Sequence, residues 1–152
     1  MIRAYSSNDK GKLVELLRLN TPEFFHPDEE KDFIEYLEQE AENYFVVEDA
    51  GMLVGAGGFN GGFDNGRTVR ISWDIIHPDY QGKGIGKKLT RYRIDQIRED
   101  PAVKKIVVRT TQLVYGFYQK IGFELEKVEK DYWAEGFDLY QMKLDLNKAS
   151  SS

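Results

Sequence analysis

Hydrophobic positions along this chain follow two periods, about 2 residues and about 3.6, and the switches between them mark out its elements. Ile2 to Tyr5 reads as a short strand. Ser6-Ser7-Asn8-Asp9 supplies helix N-cap residues, and Leu13, Val14, Leu16 and Leu17 then recur at helical spacing. Thr21-Pro22 ends that helix region, and Pro27 suits the start of the next one. Asp28 to Glu42 is an amphipathic helix with Phe33, Ile34, Leu37 and Ala41 on its apolar side. Tyr44–Glu48 and Met52–Phe59 form a hairpin around the turn Asp49-Ala50-Gly51. Asn60 to Gly66 reads as a loop, a plain turn or a rim to a substrate site. The run Thr68 to Ile76 is rich in β-branched residues and forms a central strand, and Ile85 to Ile97 is a helix stopped by Glu99-Asp100-Pro101. Lys104–Thr110 is a strand, and Leu113–Ile121 is a short helix closed by Gly122. Glu124–Lys130 and Leu139–Leu146 are final strands joined by the loop Asp131–Gly136.

The order β-α-α-β-β-β-α-β-α-β-β implies a mixed α/β fold in a single domain over residues 1–146. No repeat or linker divides it, and its length suits one sizeable core. Residues 147–152 bury little and are expected to fray. The formal net charge of −5 argues against nucleic acid as a partner, because phosphate neutralisation needs a basic face. The second helix carries Glu29, Glu30, Asp32, Glu35, Glu38 and Glu40, expected to be a solvated face, with attraction of a cationic amine as the functional alternative. The absence of cysteine excludes disulfides, thiolate metal sites and a cysteine nucleophile, and two histidines cannot make a His-rich metal cluster. No metal site is expected. No apolar run approaches membrane-spanning length, and the N-terminus has no signal-peptide stretch, so a cytoplasmic protein without membrane partners is expected.

Candidate chemistry concentrates at the strand-to-helix turn Gln81-Gly82-Lys83-Gly84-Ile85-Gly86-Lys87-Lys88. Glycines there let a ligand approach the main chain, and a helix start presents unpaired N–H groups and partial positive charge. Together with the lysines they make a site for phosphate oxygens. The P-loop pattern fails, because Gly82 and Gly86 are one residue too close and Lys88 stands where Ser or Thr belongs. The dinucleotide pattern G-x-G-x-x-G fails as well. The pattern Q/R-x-x-G-x-G/A fits.

That turn, with its lead-in His77-Pro78-Asp79-Tyr80, resembles the acetyl-CoA pyrophosphate loop of the GNAT N-acetyltransferase superfamily. Phe117-Tyr118-Gln119-Lys120-Ile121-Gly122-Phe123 resembles the second signature of that superfamily, and the element order is similar over nearly the whole chain. The resemblance implies acetyl-CoA as acyl donor, bound by Gln81, Gly82, Lys83, Gly84, Ile85, Gly86 and Lys87. It implies main-chain groups of Asp74, Ile75 and Ile76 beside the pantetheine arm and the acetyl carbonyl. It implies Tyr118 as the general acid that protonates the leaving thiolate, also touching the cofactor. Two departures stand out. Thr111 occupies a position where many relatives carry a cofactor-contacting Asn, and a hydroxyl can replace part of that contact. Glutamates that serve as base in some relatives align with Arg70 and Ile106, which cannot serve. Asp74 is the nearest acidic candidate, and deprotonation through water is equally open.

The expected reaction is direct transfer of an acetyl group to a primary amine, since no cysteine exists to carry it. A small molecule or a peptide could supply the amine, and a homodimer is left open. A non-catalytic acyl-CoA-binding module and transfer of another acyl group are the alternatives.

Overall fold

Seven strands in the order β1-β2-β3-β4-β5-β7-β6, with four helices, build a mixed α/β fold. The computed structural model describes residues 1–146; the expectation for 147–152 lies outside them. The strands are β1 (Ile2–Ala4), β2 (Tyr44–Asp49), β3 (Met52–Phe63), β4 (Thr68–Ile76), β5 (Lys105–Thr110), β6 (Glu124–Ala134) and β7 (Phe137–Asp145). The helices are α1 (Lys10–Leu19), α2 (Glu29–Gln39), α3 (Ile85–Ile97) and α4 (Tyr115–Ile121). Element order agrees with the hydrophobic pattern throughout. The described chain falls into two compact units: Met1–Asn60 with Ser72–Arg93, and Gly61–Ile71 with the residues from Ile94 onward.

In the first unit β1, β2 and β3 pair antiparallel, with Val46 opposite Ala56. Tyr44 to Val47 is an unbroken apolar run because β2 is covered on both faces. On one face Val46, Ala56 and Ile75 pack with Leu13 and Leu17 of α1 and Phe33 and Leu37 of α2. On the other, Phe45, Val47 and Val54 pack with Leu89 of α3. Each fully buried Leu or Phe contributes about 1.5–3 kcal/mol. The N-cap cluster is used as its composition suggests. The Asp9 carboxylate accepts from Ser6 N at 2.9 Å and from Arg3 Nη1 and Nη2, each at 2.9 Å. The acidic face of α2 is partly paired with α1: Arg18 donates to Glu30 at 2.6 Å, and Lys10 pairs with Glu38.

In the second unit β4 runs parallel to β5, Thr68–Ile71 against Lys105–Val108, and β5 pairs antiparallel with β7. Ile106, Leu139 and Met142 are fully buried. β6 is the edge strand, exposed along most of its length, and its alternating Glu and Lys residues discourage pairing with another chain.

The first part of each of two expected loops is strand. β3 continues through Asn60-Gly61-Gly62 to Phe63, and the turn is Asp64-Asn65-Gly66 with φ of 51°, 56° and 84°. The reason is tertiary. Asn60 Oδ1 accepts from the hydroxyls of Tyr36 at 2.9 Å and Ser72 at 2.5 Å, and its Nδ2 donates to Glu40 O at 2.9 Å. These bonds hold extended a segment whose composition favours a turn. β6 likewise continues past Lys130 to Ala134. Asp131 N donates to Asp138 Oδ1 and Gly136 N to Asp131 Oδ1, at 2.9 and 2.8 Å, so two carboxylates close an irregularity in the hairpin.

Candidate functional site

The glycine turn lies where the pattern put it, between β4 and α3. Gly82 and Gly84 have φ of 79° and 85°, a left-handed conformation closed to most side chains. A Cβ built on either would meet nothing within 4 Å, so the main chain there faces open space. α3 follows at once, its first closing bond running from Lys88 N to Gly84 O at 3.1 Å. The N–H groups ahead of Lys88 therefore have no acceptor inside the helix. Gln81 acts as the anchor of the turn: its Nε2 donates to Asn20 Oδ1 at 3.1 Å and to Ile76 O at 3.3 Å. Lys83 sits over the Tyr80 ring, 5.2 Å from its centroid. The turn fits a pyrophosphate group, through open main chain at two left-handed glycines, a helix start and the lysines. Among the described residues, no group of three or more His, Asp or Glu is arranged to hold a metal ion.

Asp74, Ile75 and Ile76 form the end of β4 just before this turn. Trp73 adopts φ of 48° inside the strand, an outlier for so bulky a residue and of a kind that clusters at functional sites. Its ring packs on the α2 side, 5.0 Å from Phe33, and its carbonyl accepts from the Tyr44 hydroxyl at 2.7 Å. Asp74 points the other way, to Arg93 of α3. Arg93 Nη1 and Nη2 donate to Asp74 Oδ1 and Oδ2 at 2.5 and 3.0 Å. The Arg93 side chain is fully buried and also donates to the carbonyls of Gly58 and Leu89, at 3.0 and 3.3 Å. Sequence reasoning missed this arginine. The signal lay in Gly57-Gly58: a Cβ on Gly57 would overlap Asp74 Oδ1 and lie 2.8 Å from Arg93 Nη1.

Thr111 and Tyr118 belong to the second unit. Thr111 closes the turn ahead of α4, its hydroxyl accepting from Leu113 N at 3.2 Å and its carbonyl from Tyr115 N at 3.0 Å. Tyr118 is 2% exposed, with Phe117 and Phe123 edge-on at 5.0 and 5.7 Å. Gly122, at φ of 122°, turns the chain so that Phe123 N bonds to Tyr118 O at 3.1 Å. Gln112 beside Thr111 grips the β6–β7 hairpin, with Nε2 donating to Gly136 O at 2.8 Å and Oε1 accepting from Asp138 N at 2.9 Å. Arg70 and Arg109 form a second arginine feature, in the second unit, against the rings of Phe63 and Tyr132.

The acetyltransferase (GNAT) domain family matches residues 8–146. The ycf52 N-acetyltransferase of Pyropia yezoensis is 41% identical over 61 residues, 40% of this chain and 34% of that protein. The N-alpha-acetyltransferase RimI of Mycobacterium tuberculosis is 30% identical over 114 residues, 71% of this chain and 69% of that protein. The chain thus spans about a third of the length of the first relative and about two thirds of the second. In fold it is similar to an aminoglycoside 6′-N-acetyltransferase complexed with coenzyme A, with a TM-score of 0.77 at 18% identity, covering 96% of this chain and 97% of the other.

Proposed function

Since the chain belongs to the acetyltransferase (GNAT) domain family over residues 8–146, we propose that it transfers an acetyl group from acetyl-CoA to a primary amine by direct attack. The observation that carries this is the open turn at Gly82 and Gly84 ahead of α3. When bound, acetyl-CoA supplies the activated acyl group as a thioester. Gln81 through Lys87 hold the pyrophosphate with main-chain N–H groups and lysine charge. The main chain of Asp74, Ile75 and Ile76, at the end of β4, would hold the pantetheine arm and polarise the acetyl carbonyl as charge develops on its oxygen. Tyr118 would protonate the leaving thiolate as general acid. The Thr111 hydroxyl, which accepts from Leu113 N in the turn before α4, would contribute to the cofactor contact. The amine must lose a proton first, because an ammonium of the lysine type has a pKa of about 10.4. Both oxygens of Asp74 accept from Arg93, which supports water as the carrier of that proton and Asp74 as the partner that fixes Arg93.

Relatives are named for a ribosomal-protein alanine and for amino acids as acceptors. Among the described residues no helix is long and apolar enough to cross a membrane. The test is an assay of CoA release and product mass with acetyl-CoA, longer acyl-CoAs and a panel of amines. The expected result is one acetylated amine formed per CoA released. CoA binding with no turnover on any amine would favour the non-catalytic module instead.

A further inference from the structure

The second unit contains a cationic, aromatic-walled cluster that the acetyl-transfer reading does not use. Arg70 on β4 is in register with Val107 on the parallel strand β5, so Arg70 and Arg109 project from the same face of neighbouring strands. The Arg70 guanidinium lies 4.0 Å above the Phe63 ring. The Arg109 guanidinium lies 5.0 Å from the Tyr132 ring centre and 5.7 Å from that of Trp133. Arg109 Nη2 donates to the Tyr132 hydroxyl at 2.8 Å, and its Nε is buried with no hydrogen-bond partner. Among the described residues Arg109 is held by no carboxylate. Burial, and then the charge of Arg109, lowers the pKa of Arg70 from its ordinary value. Two cations are therefore held close together, in a protein of net charge −5, where desolvation and mutual repulsion both cost free energy.

Such an arrangement is stabilised by an anion of matching shape. A guanidinium presents a planar fork that a carboxylate accepts in two parallel hydrogen bonds. The position suits a substrate. Ligands of open α/β sheets bind beyond the carboxyl ends of parallel strands, and Arg109 stands next to the last residue of β5. Trp133 Nε1 donates to Thr110 O at 3.1 Å, fixing the hairpin beside that strand end. From there the chain leads through Thr111 into the helix of Tyr118. Tyr132, 45% exposed, gives the organic part of a ligand an aromatic wall. The phosphates of CoA have their own cradle at Gly82–Lys87, so they are not needed to explain these arginines.

We propose that Arg70 and Arg109 are specificity-determining residues for the acceptor, and that the acceptor is a primary amine bearing a carboxylate. This rests on the acetyltransferase reading above. The carboxylate is either the α-carboxylate of a free amino acid or a side-chain carboxylate at the start of a peptide, and the two sources need separate probes. One pair is alanine and alaninamide; the other is the N-terminally free dipeptide amides Asp-Ala and Asn-Ala. Each is titrated calorimetrically into the CoA-loaded protein and then tested for acetylation. In at least one pair the acid binds about tenfold tighter than its neutral partner, as expected for a charge-assisted pair. Arg109→Met, which keeps an apolar stem beneath Trp133, and Arg70→Gln each abolish that preference. In both, the acceptor KM rises with little change in kcat, and CoA affinity stays within about twofold, the pattern of a lost uniform binding contact.

Equal binding of acid and amide in both pairs overturns the proposal. So does a loss of CoA affinity that accompanies the arginine variants while their melting temperature is unchanged. The two readings fail differently. If no amine is acetylated but the arginine-dependent preference persists in binding, acetyl transfer falls and the carboxylate site stands. If amines are acetylated without preference, the carboxylate site falls and acetyl transfer stands.

Discussion

Tyr118 is the residue on which the proposed chemistry turns. Its ring is fixed edge-on to Phe117 and Phe123 and is almost fully buried. Replacing it by Phe keeps that packing and removes only the hydroxyl. Tyr118→Phe is expected to lower turnover by about a hundredfold, the range for a lost acid–base group, in a folded protein that still binds CoA. Turnover within about twofold of the parent would remove Tyr118 from the rate-limiting proton transfer. Two other tyrosines govern behaviour in alkali. Burial pushes the Tyr36 hydroxyl up to about 12 and raises that of Tyr44 well above its ordinary range. An unfolded tyrosine titrates near 10, so between about 10 and 12 the unfolded chain loses protons that the folded chain keeps. Stability from these groups is complete below that window and is lost as pH rises through it. Urea unfolding followed from pH 9 to 12 should show that decline, about as expected from linkage, and Tyr36→Phe should make it shallower. An identical slope in the variant would count against the burial of Tyr36 as its cause.

At the scale of elements, one side chain ties three segments together. Arg93 of α3 bonds the Asp74 carboxylate on β4 and the Gly58 carbonyl on β3. The glycine pair in β3 leaves room for the guanidinium, since a Cβ at Gly57 would collide with it. Arg93→Met should destabilise the fold by about 3 kcal/mol, the low end for a broken buried pair, because the Asp74 side chain keeps 21% exposure. Asp74→Asn together with Arg93→Met should recover part of that loss, as read by urea unfolding. If the double variant is no more stable than the single, the cost lies in packing and not in the stranded carboxylate. Element type and order were legible from periodicity alone, because burying one face imposes a period of about 2 on a strand and about 3.6 on a helix. The extensions of β3 to Phe63 and β6 to Ala134 were not legible. Both are held by side chains distant in sequence, namely Tyr36, Ser72 and Asp138.

For the whole molecule, the proposed cofactor should act on stability by mass action. CoA at a hundredfold excess over its dissociation constant should stabilise the protein by about 2.7 kcal/mol, since it binds the folded chain alone. Gly84→Val should remove most of that gain. It places a β-branched side chain at φ of 85° and fills the open space before α3. The readout is the shift in melting temperature with CoA, set against the ligand-free melting temperature of the same variant. An undiminished shift in a folded variant would move the pyrophosphate site elsewhere.

By itself the sequence determined the mixed α/β class, the order of elements and the position of the glycine turn. These depend on local rules: hydrophobic period, turn chemistry and the backbone freedom of glycine at Gly82 and Gly84. It also pointed to the second signature around Tyr118 through a contiguous motif. Only the tertiary structure decided which partners the polar residues have. From sequence Asp74 reads as a candidate base, and the fold gives both its oxygens a partner in Arg93 of α3. From sequence Thr111 reads as a cofactor contact, and the fold gives its hydroxyl a local partner in Leu113 N. Arg70 reads from sequence as a residue that cannot serve as a base, and Arg109 as one position of a strand; the parallel pairing of β4 with β5 and the β6–β7 hairpin that sets Tyr132 and Trp133 against Arg109 make them one cluster. The physical reason is common to all three. A periodic pattern reports which face of an element is buried, whereas a hydrogen bond or ion pair depends on the register between elements far apart in the chain.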